Sequence, residues 1–240
     1  MKDHDAHTEG PDLAALAALL ADGTRAAFCL ALLDGRAWTA TELARHAGVA
    51  ASTATEHLNR LVAGGLLAEE RQGRHRYVRL AGLGTAELIE NLASLAPRRP
   101  APPGTLPAVN RSRALARART CYDHLAGALG VAIADSMTRR GLLGWEHGPA
   151  LTGDGTAWLA GLGIALPPAT RRPAVRSCLD WTERRPHLAG AVGAAVCAHA
   201  FDSGWITRIG TGRAVALTAA GRHALHEHLG LSDGFGTSVG

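Results

Sequence analysis

The chain has 240 residues, enough for one large domain or two small ones, and 47% of them are hydrophobic, which suits a packed core. Its net charge of +4 and pI of about 9.2 are a mild basic excess that fits a nucleic-acid partner without requiring one. There is no apolar run of the roughly 18 residues a membrane helix needs, the polar start Met1-Lys2-Asp3-His4 has no signal-peptide core, and Cys29, Cys121, Cys178 and Cys197 show no paired spacing. These features exclude a membrane span and a disulfide framework and point to a cytoplasmic protein with free thiols, associated with the nucleoid when on DNA.

Residues 1–11 read as a disordered tail, and Leu13 to Leu20 as a short apolar helix. A second helix is predicted from Thr39 to His46. Thr39 stands three residues before Glu42, the spacing of a capping box. Gly48 supplies a sharp turn at positive φ. A third helix is predicted from Ala51 to Ala63, with Leu58, Leu61 and Val62 as its buried stripe. Its opposite face carries Ser52, Thr53, Thr55, Glu56, Asn59 and Arg60, short polar groups that can approach base edges or phosphates. Gly64-Gly65 ends it, and Leu66 to Arg71 with His75 to Leu80 alternate as two strands of a hairpin. That hairpin projects Arg71, Arg74, His75 and Arg76. Helix, turn, helix and basic ribbon in this order form a winged helix-turn-helix, which seats one helix in the major groove. The candidate DNA contacts are therefore Thr39, Ser52, Thr53, Thr55, Glu56, His57, Asn59, Arg60, Arg71, Arg74, His75 and Arg76.

The motifs Glu42-Leu43-Ala44, Gly48-Val49, Ser52-Thr53, His57-Leu58, Gly65-Leu66 and Arg71-x-Gly73-Arg74-x-x-Tyr77-x-x-Leu80, with the upstream Leu19 to Leu33, resemble the ArsR family of bacterial transcriptional regulators. The resemblance covers about residues 12 to 95. It implies a homodimer that binds an inverted-repeat operator and lets go when an inducer binds. It would face Ser52, Thr55 and Glu56 to the bases and put His57 and Arg60 near the backbone. There are departures. Ala51 stands where the family usually has a polar residue. The Cys-x-Cys run of its metal sensors is replaced by Glu42-Leu43-Ala44-Arg45. The last helix, Leu83 to Leu95, offers Glu87 and Glu90 but no histidine. The two familiar metal sites of the family are therefore missing.

Residues 96–110 read as a Pro/Arg-rich linker, with five prolines between Pro97 and Pro107. From Asn91 to Tyr122 there is no acidic residue but six arginines, a solvated face or an auxiliary phosphate contact. One long helix is predicted from Arg111 to Arg140, on the spacing of Leu115, Tyr122, Leu125, Leu129, Ile133 and Met137. A degenerate repeat follows. Leu151-Thr152-Gly153-Asp154-Gly155 leads to a helix closed at Gly163, and Leu217-Thr218-Ala219-Ala220-Gly221 to one closed at Gly230. Between them His187 to Asp202 reads as an apolar helix and 205–217 as a hairpin. The expected fold class is thus mainly α with small β-hairpins, α+β. A winged helix-turn-helix over 12–95 is followed by a degenerate winged-helix-like sensor and dimerisation domain over 111–231, and a disordered tail over 232–240. The stretch Cys178 to Leu188 resembles a group of longer actinobacterial members of the same family.

Two constellations could read a signal. Trp145, Trp158, Trp181 and Trp205 with Arg184 and Arg185 could wall a pocket for an anionic organic effector. Cys121 and His124, three apart on the predicted helix, with Cys178 and His187, carry metal-ligand chemistry. No cofactor is assigned, and a metal ion is the one these residues allow. No nucleophile elbow, phosphate loop or HExxH occurs, so no enzyme is expected. The expected function is a repressor released from its operator by a small-molecule effector. The alternatives are a metal- or thiol-responsive repressor and an architectural DNA binder with an oligomerising tail. The expected partners are double-stranded DNA, a second copy of the chain and an unidentified effector, with no membrane.

Overall fold

The computed structural model describes residues 11–73, 75–97, 106–146, 148–166 and 173–232. The expected tails, most of the linker and Arg74 lie outside them. The fold is mainly α with short antiparallel hairpins, and it divides into two units: residues 1–32 with 37–82, and 33–36 with 83–240. Among the described residues no single helix is long and apolar enough to cross a membrane.

The first unit opens with α1 (Leu13–Leu20) and α2 (Gly23–Ala31), whose amino ends are capped by the side chains of Asp12 and Asp22. The strand β1 (Trp38–Thr39) leads into α3 (Ala40–Ala47). There Thr39 and Glu42 close the capping box in both directions. Gly48 turns the chain at φ 69°, and α4 (Ala51–Ala63) follows. Next, β2 (Leu67–Gln72) and β3 (His75–Leu80) pair from Leu67↔Leu80 to Gln72↔His75, and β1 joins the far edge of β3. Phe28, Leu43, Leu58, Leu61 and Val78 are almost wholly buried and form the core that fixes α4 against α2, α3 and the sheet.

The second unit begins with α5 (Leu83–Leu95) and α6 (Leu106–Arg117), so α5, which the sequence reading joins to the head, groups with the tail. A motif of hairpin, helix, hairpin and helix then runs twice. The first copy is β4 (Arg119–Cys121), β5 (His124–Ala126), α7 (Gly127–Arg139), β6 (Leu143–Gly144), β7 (Ala150–Leu151) and α8 (Gly153–Gly161). The second is β8 (Arg176–Leu179), β9 (Pro186–Ala189), α9 (Gly190–Asp202), β10 (Ile206–Arg208), β11 (Val215–Leu217) and α10 (Ala219–Leu229). The copies match in detail. Each long helix starts at a glycine with positive φ, Gly127 (75°) and Gly190 (83°). Each short helix is capped by a threonine, Thr152 and Thr218, whose hydroxyl also donates to a carbonyl near the end of the preceding helix, Gly141 and Gly204. Leu129, Ile133, Met137, Leu188, Val192, Val196, Leu225 and Leu229 share one core.

Three expectations are corrected here. The single helix predicted over 111–140 is three elements, α6, the β4–β5 hairpin and α7. The chain reverses at Tyr122, which has φ 60°, and the helix α7 starts only at Gly127, whose φ is 75°. The helix predicted from His187 starts instead at Gly190, and His187 lies on β9. The linker also ends earlier than Asn110, since α6 already begins at Leu106.

Candidate nucleic-acid interface and Cys/His cluster

The candidate interface is built on α4. Its buried residues Ala54, Leu58 and Leu61 leave Ser52, Thr53, Thr55, Glu56, Asn59 and Arg60 exposed on the opposite side. Thr55 donates its hydroxyl back to the Ala51 carbonyl at 2.8 Å, so it reaches outward as an acceptor. Arg60 pairs with Glu56 at 2.6 Å along the helix. Arg76 on β3 donates to Asn59 Oδ1 at 2.8 Å and pairs with Glu69 at 2.7 Å, tying the wing to the helix. Arg71 and His75 are exposed on the ribbon. Thr39 spends its hydroxyl on the capping box, donating to Glu42 Oε2 and accepting from the Glu42 amide. His57 is a correction: only 16% of its side chain is exposed, and Nδ1 lies 3.3 Å from Arg25 and 3.7 Å from Asp22. Its place in the helical repeat turns it toward α2 instead of outward.

The second unit brings together the four residues singled out for metal chemistry. Cys121 and His124 are directly opposed across β4–β5, and Cys178 and His187 across β8–β9. The expected three-residue spacing on a helix is thus a cross-strand pair. All four are buried, at 1%, 1%, 6% and 1% exposure, and one ligating atom from each lies within 4.8 Å of the others. The two imidazoles meet Nε2 to Nε2 at 3.1 Å. Their Nδ1 atoms face carboxylates, Asp123 for His124 and Asp180 for His187, both at 3.3 Å.

The surroundings are strongly polar for a buried place. Asp180 is wholly buried and accepts from the Gly127 amide at 2.7 Å, from Arg119 at 3.0 Å, and from Thr182 and the Glu183 amide. Burial pushes its carboxyl upward, but His187, Arg119 and Thr182 together hold it well below the carboxylate range. Burial alone would lower His187, yet Asp180 and Cys121 raise it. The Cys121 thiol is pushed far up, first by the Cys178 sulfur and then by burial, while the same contact lowers Cys178. Cys121 also donates to Glu90 Oε2 on α5 at 2.7 Å, and Glu90 Oε1 pairs with Arg213 at 2.8 Å. Sequence reasoning missed Arg119 and Glu90 as partners of this cluster. The signal that could have found the arrangement is the match of Arg119-Thr-Cys-Tyr-Asp123 and His124-Leu-Ala-Gly-Ala128 to Arg176-Ser-Cys-Leu-Asp180 and His187-Leu-Ala-Gly-Ala191, interrupted in the second copy by residues 181–186.

The residues expected to wall an organic pocket do not converge. Trp158 and Trp205 line a cavity of about 10 Å³ among Leu125, Ile133 and Leu229, room for a single water. Trp145 is 37% exposed and donates to Thr138. Trp181 packs its ring on Arg119. Arg184 donates to the Ala96 carbonyl, and Arg185 pairs with Asp135.

A family described as a helix-turn-helix domain matches residues 20–70. The uncharacterized HTH-type transcriptional regulator YdfF of Bacillus subtilis (strain 168) is 39% identical over 222 residues, spanning 91% of this chain and 97% of that one. The chain belongs to the ArsR family of winged helix-turn-helix transcriptional regulators. Among solved structures, the cadmium sensor CMTR of Mycobacterium tuberculosis is 31% identical over 39% of this ArsR-family chain and 99% of its own, with a TM-score of 0.32. The homodimeric DNA-binding domain of Mb0332 from Mycobacterium bovis is 29% identical over 34% of this chain and 75% of its own, again with a TM-score of 0.32. As a transcriptional regulator of this family, the chain is a DNA-binding protein and not an enzyme.

Proposed function

We propose that the protein is a homodimeric repressor that binds an inverted-repeat operator through α4 and the β2–β3 wing, with its signal entering through the second unit. One observation carries the DNA assignment. The polar face of α4 is exposed along its length, and Arg76 locks it to an arginine-bearing ribbon through Asn59. The amino end of α4 supports it, because Ala50 offers no side-chain cap and leaves the first amide groups open to a phosphate. Ser52, Thr53, Thr55 and Glu56 are the groups for base edges, and Arg60, Arg71 and His75 for the backbone.

Self-association is supported by exposed leucines, Leu13 at 72% on α1, and Leu92 at 46% and Leu95 at 75% on α5. A two-fold dimer reads half-sites about one helical turn apart, so the operator should be a near-palindrome. The signal reaches DNA binding as a shift between dimer states of different operator affinity. The Cys/His cluster supports metal as the input better than the tryptophans support an organic ligand, because the cavity that Trp158 and Trp205 share is only about 10 Å³.

The test is fluorescence anisotropy with DNA from upstream of the protein's own gene, with the full chain. Tight binding at one near-palindromic segment is expected. Arg71→Ala should weaken binding to all sequences alike and reduce the salt slope by about one. Thr53→Ala should change base preference at a fixed position. An Arg71→Ala variant with unaltered salt slope removes the wing from the interface.

A further inference from the structure

The duplicated hairpins place two cysteines and two histidines, one pair from each copy, around a common point within the second unit. Zinc bound tetrahedrally at about 2.0 Å from nitrogen and 2.3 Å from sulfur holds its ligand atoms roughly 3.3 to 3.8 Å apart. The Nε2–Nε2 distance of 3.1 Å is slightly shorter than such an edge, and the widest pair, within 4.8 Å, needs to contract by about an ångström.

Three further observations favour a cation at this point. Both rings present Nδ1 to a carboxylate, which is how protein ligands to zinc are oriented and made more basic. The two Nε2 atoms meet at 3.1 Å, a contact that needs either a shared proton or a cation between the two lone pairs. The His187 Nδ1 sits off the line of a full hydrogen bond to Asp180 although it is buried, so its ring is held by proximity to the carboxylate and by whatever Nε2 meets. Two sulfurs and two imidazoles select a borderline-soft ion over calcium or magnesium. Burial of all four ligands leaves no open position for water, which marks a resident ion and not a catalytic one.

We propose that Cys121, His124, Cys178 and His187 bind one Zn²⁺ ion tetrahedrally and thereby join the two copies of the repeat. Each copy supplies one thiolate and one imidazole, and neither alone provides more than two ligands. The pseudo-symmetric glycines accommodate this closeness. A side chain at Gly193 would approach the His124 Cβ at 3.2 Å, and one at Gly130 would meet His187 at 3.7 Å, besides pressing on the Leu188 and Leu125 carbonyls. The assignment does not depend on the operator or on the sign of regulation.

The test uses the full chain, reduced, stripped with chelator and titrated with Co²⁺ and then Zn²⁺. One equivalent of cobalt should give the intense visible bands of a tetrahedral ion together with sulfur-to-cobalt charge transfer, and one equivalent of zinc should abolish both. Cys121→Ser and Cys178→Ser should each lose these signals, and Cys197→Ala should keep them. Asp180→Asn should weaken zinc roughly 10–100-fold while leaving the cobalt spectrum tetrahedral. Cobalt that stays six-coordinate in the wild-type chain would mean that the two histidines merely share a proton, and would overturn the assignment whether or not the variants fold. So would full binding by Cys178→Ser.

Discussion

Arg119 is the residue on which the polar interior of the second unit turns. It is fully buried, pairs with Asp180 at 3.0 Å, lies 3.7 Å from Glu90, donates to the Leu115 carbonyl and Thr182, and rests on the Trp181 ring. Desolvating so many charges is costly, and their mutual attraction roughly offsets the cost. Removing the cation alone is another matter, because Asp180 then stays wholly buried without its guanidinium partner, while Glu90 keeps only Arg213. Arg119→Met should therefore lose about 3–5 kcal/mol, read from the urea midpoint. Arg119→Lys should recover only part of it, since an ammonium cannot make the planar, multi-donor contacts. A loss below about 1 kcal/mol for Arg119→Met would mean the carboxylates are satisfied by other groups. In the sequence this residue is one of six arginines in a stretch without acids, and nothing local sets it apart. Its meaning comes from Asp180, 61 positions away.

At the scale of elements, the junction of hairpin and long helix is held by glycines for steric as well as conformational reasons. A Cβ at Gly190 would lie 2.8 Å from the Ala174 and Pro173 carbonyls, and one at Gly127 would lie 2.7 Å from the Ala116 carbonyl. At Gly48, by contrast, the φ of 69° is required but nothing lies within 4 Å. Gly48→Ala should thus cost only the left-handed penalty of about 1–2 kcal/mol. Gly190→Ala should cost clearly more and shift β9, which differential scanning calorimetry of the two variants would resolve. Equal losses would remove the steric part of the argument.

The same junction explains what the sequence hides. The helices α3, α4 and α5 and the wing are legible because caps, glycines and hydrophobic period agree over each of them. The stretch 111–140 is not, because Leu115, Leu125, Leu129 and Ile133 keep a helical spacing across a hairpin. Residues 119–121 and 124–126 are buried on both faces of their strands, so alternation is lost. The four Cys and His residues are recognisable by type, but the cross-strand pairing that unites them is not visible in their spacing. The tryptophans mislead for a related reason: aromatic content is the same whether the rings fill a core or line a pocket.

At the scale of the molecule, the two units differ in what stabilises them. The first rests on Phe28, Leu43, Leu58, Leu61 and Val78, and the second on a larger apolar core together with the buried charges and the Cys/His cluster. Chelation should therefore lower the unfolding temperature of the second unit and leave that of the first unchanged. With free zinc at roughly 1,000 times its dissociation constant the difference amounts to about 4 kcal/mol. Calorimetry with and without chelator checks this, and a uniform shift of one cooperative transition would show the units to be thermodynamically fused.

The separation of the ligands along the chain has a further consequence, for biosynthesis. His124 and His187 are 63 residues apart, with Cys178 just ahead of the latter. At about 5–20 residues per second, the ribosome delivers the second half of the site roughly 3–13 s after the first. During that interval Cys121 and His124 form a bidentate half-site that holds zinc only weakly. Ion capture becomes a late event that tests whether the second repeat has been made, and a nascent chain cut short before Pro186 carries no complete site at all.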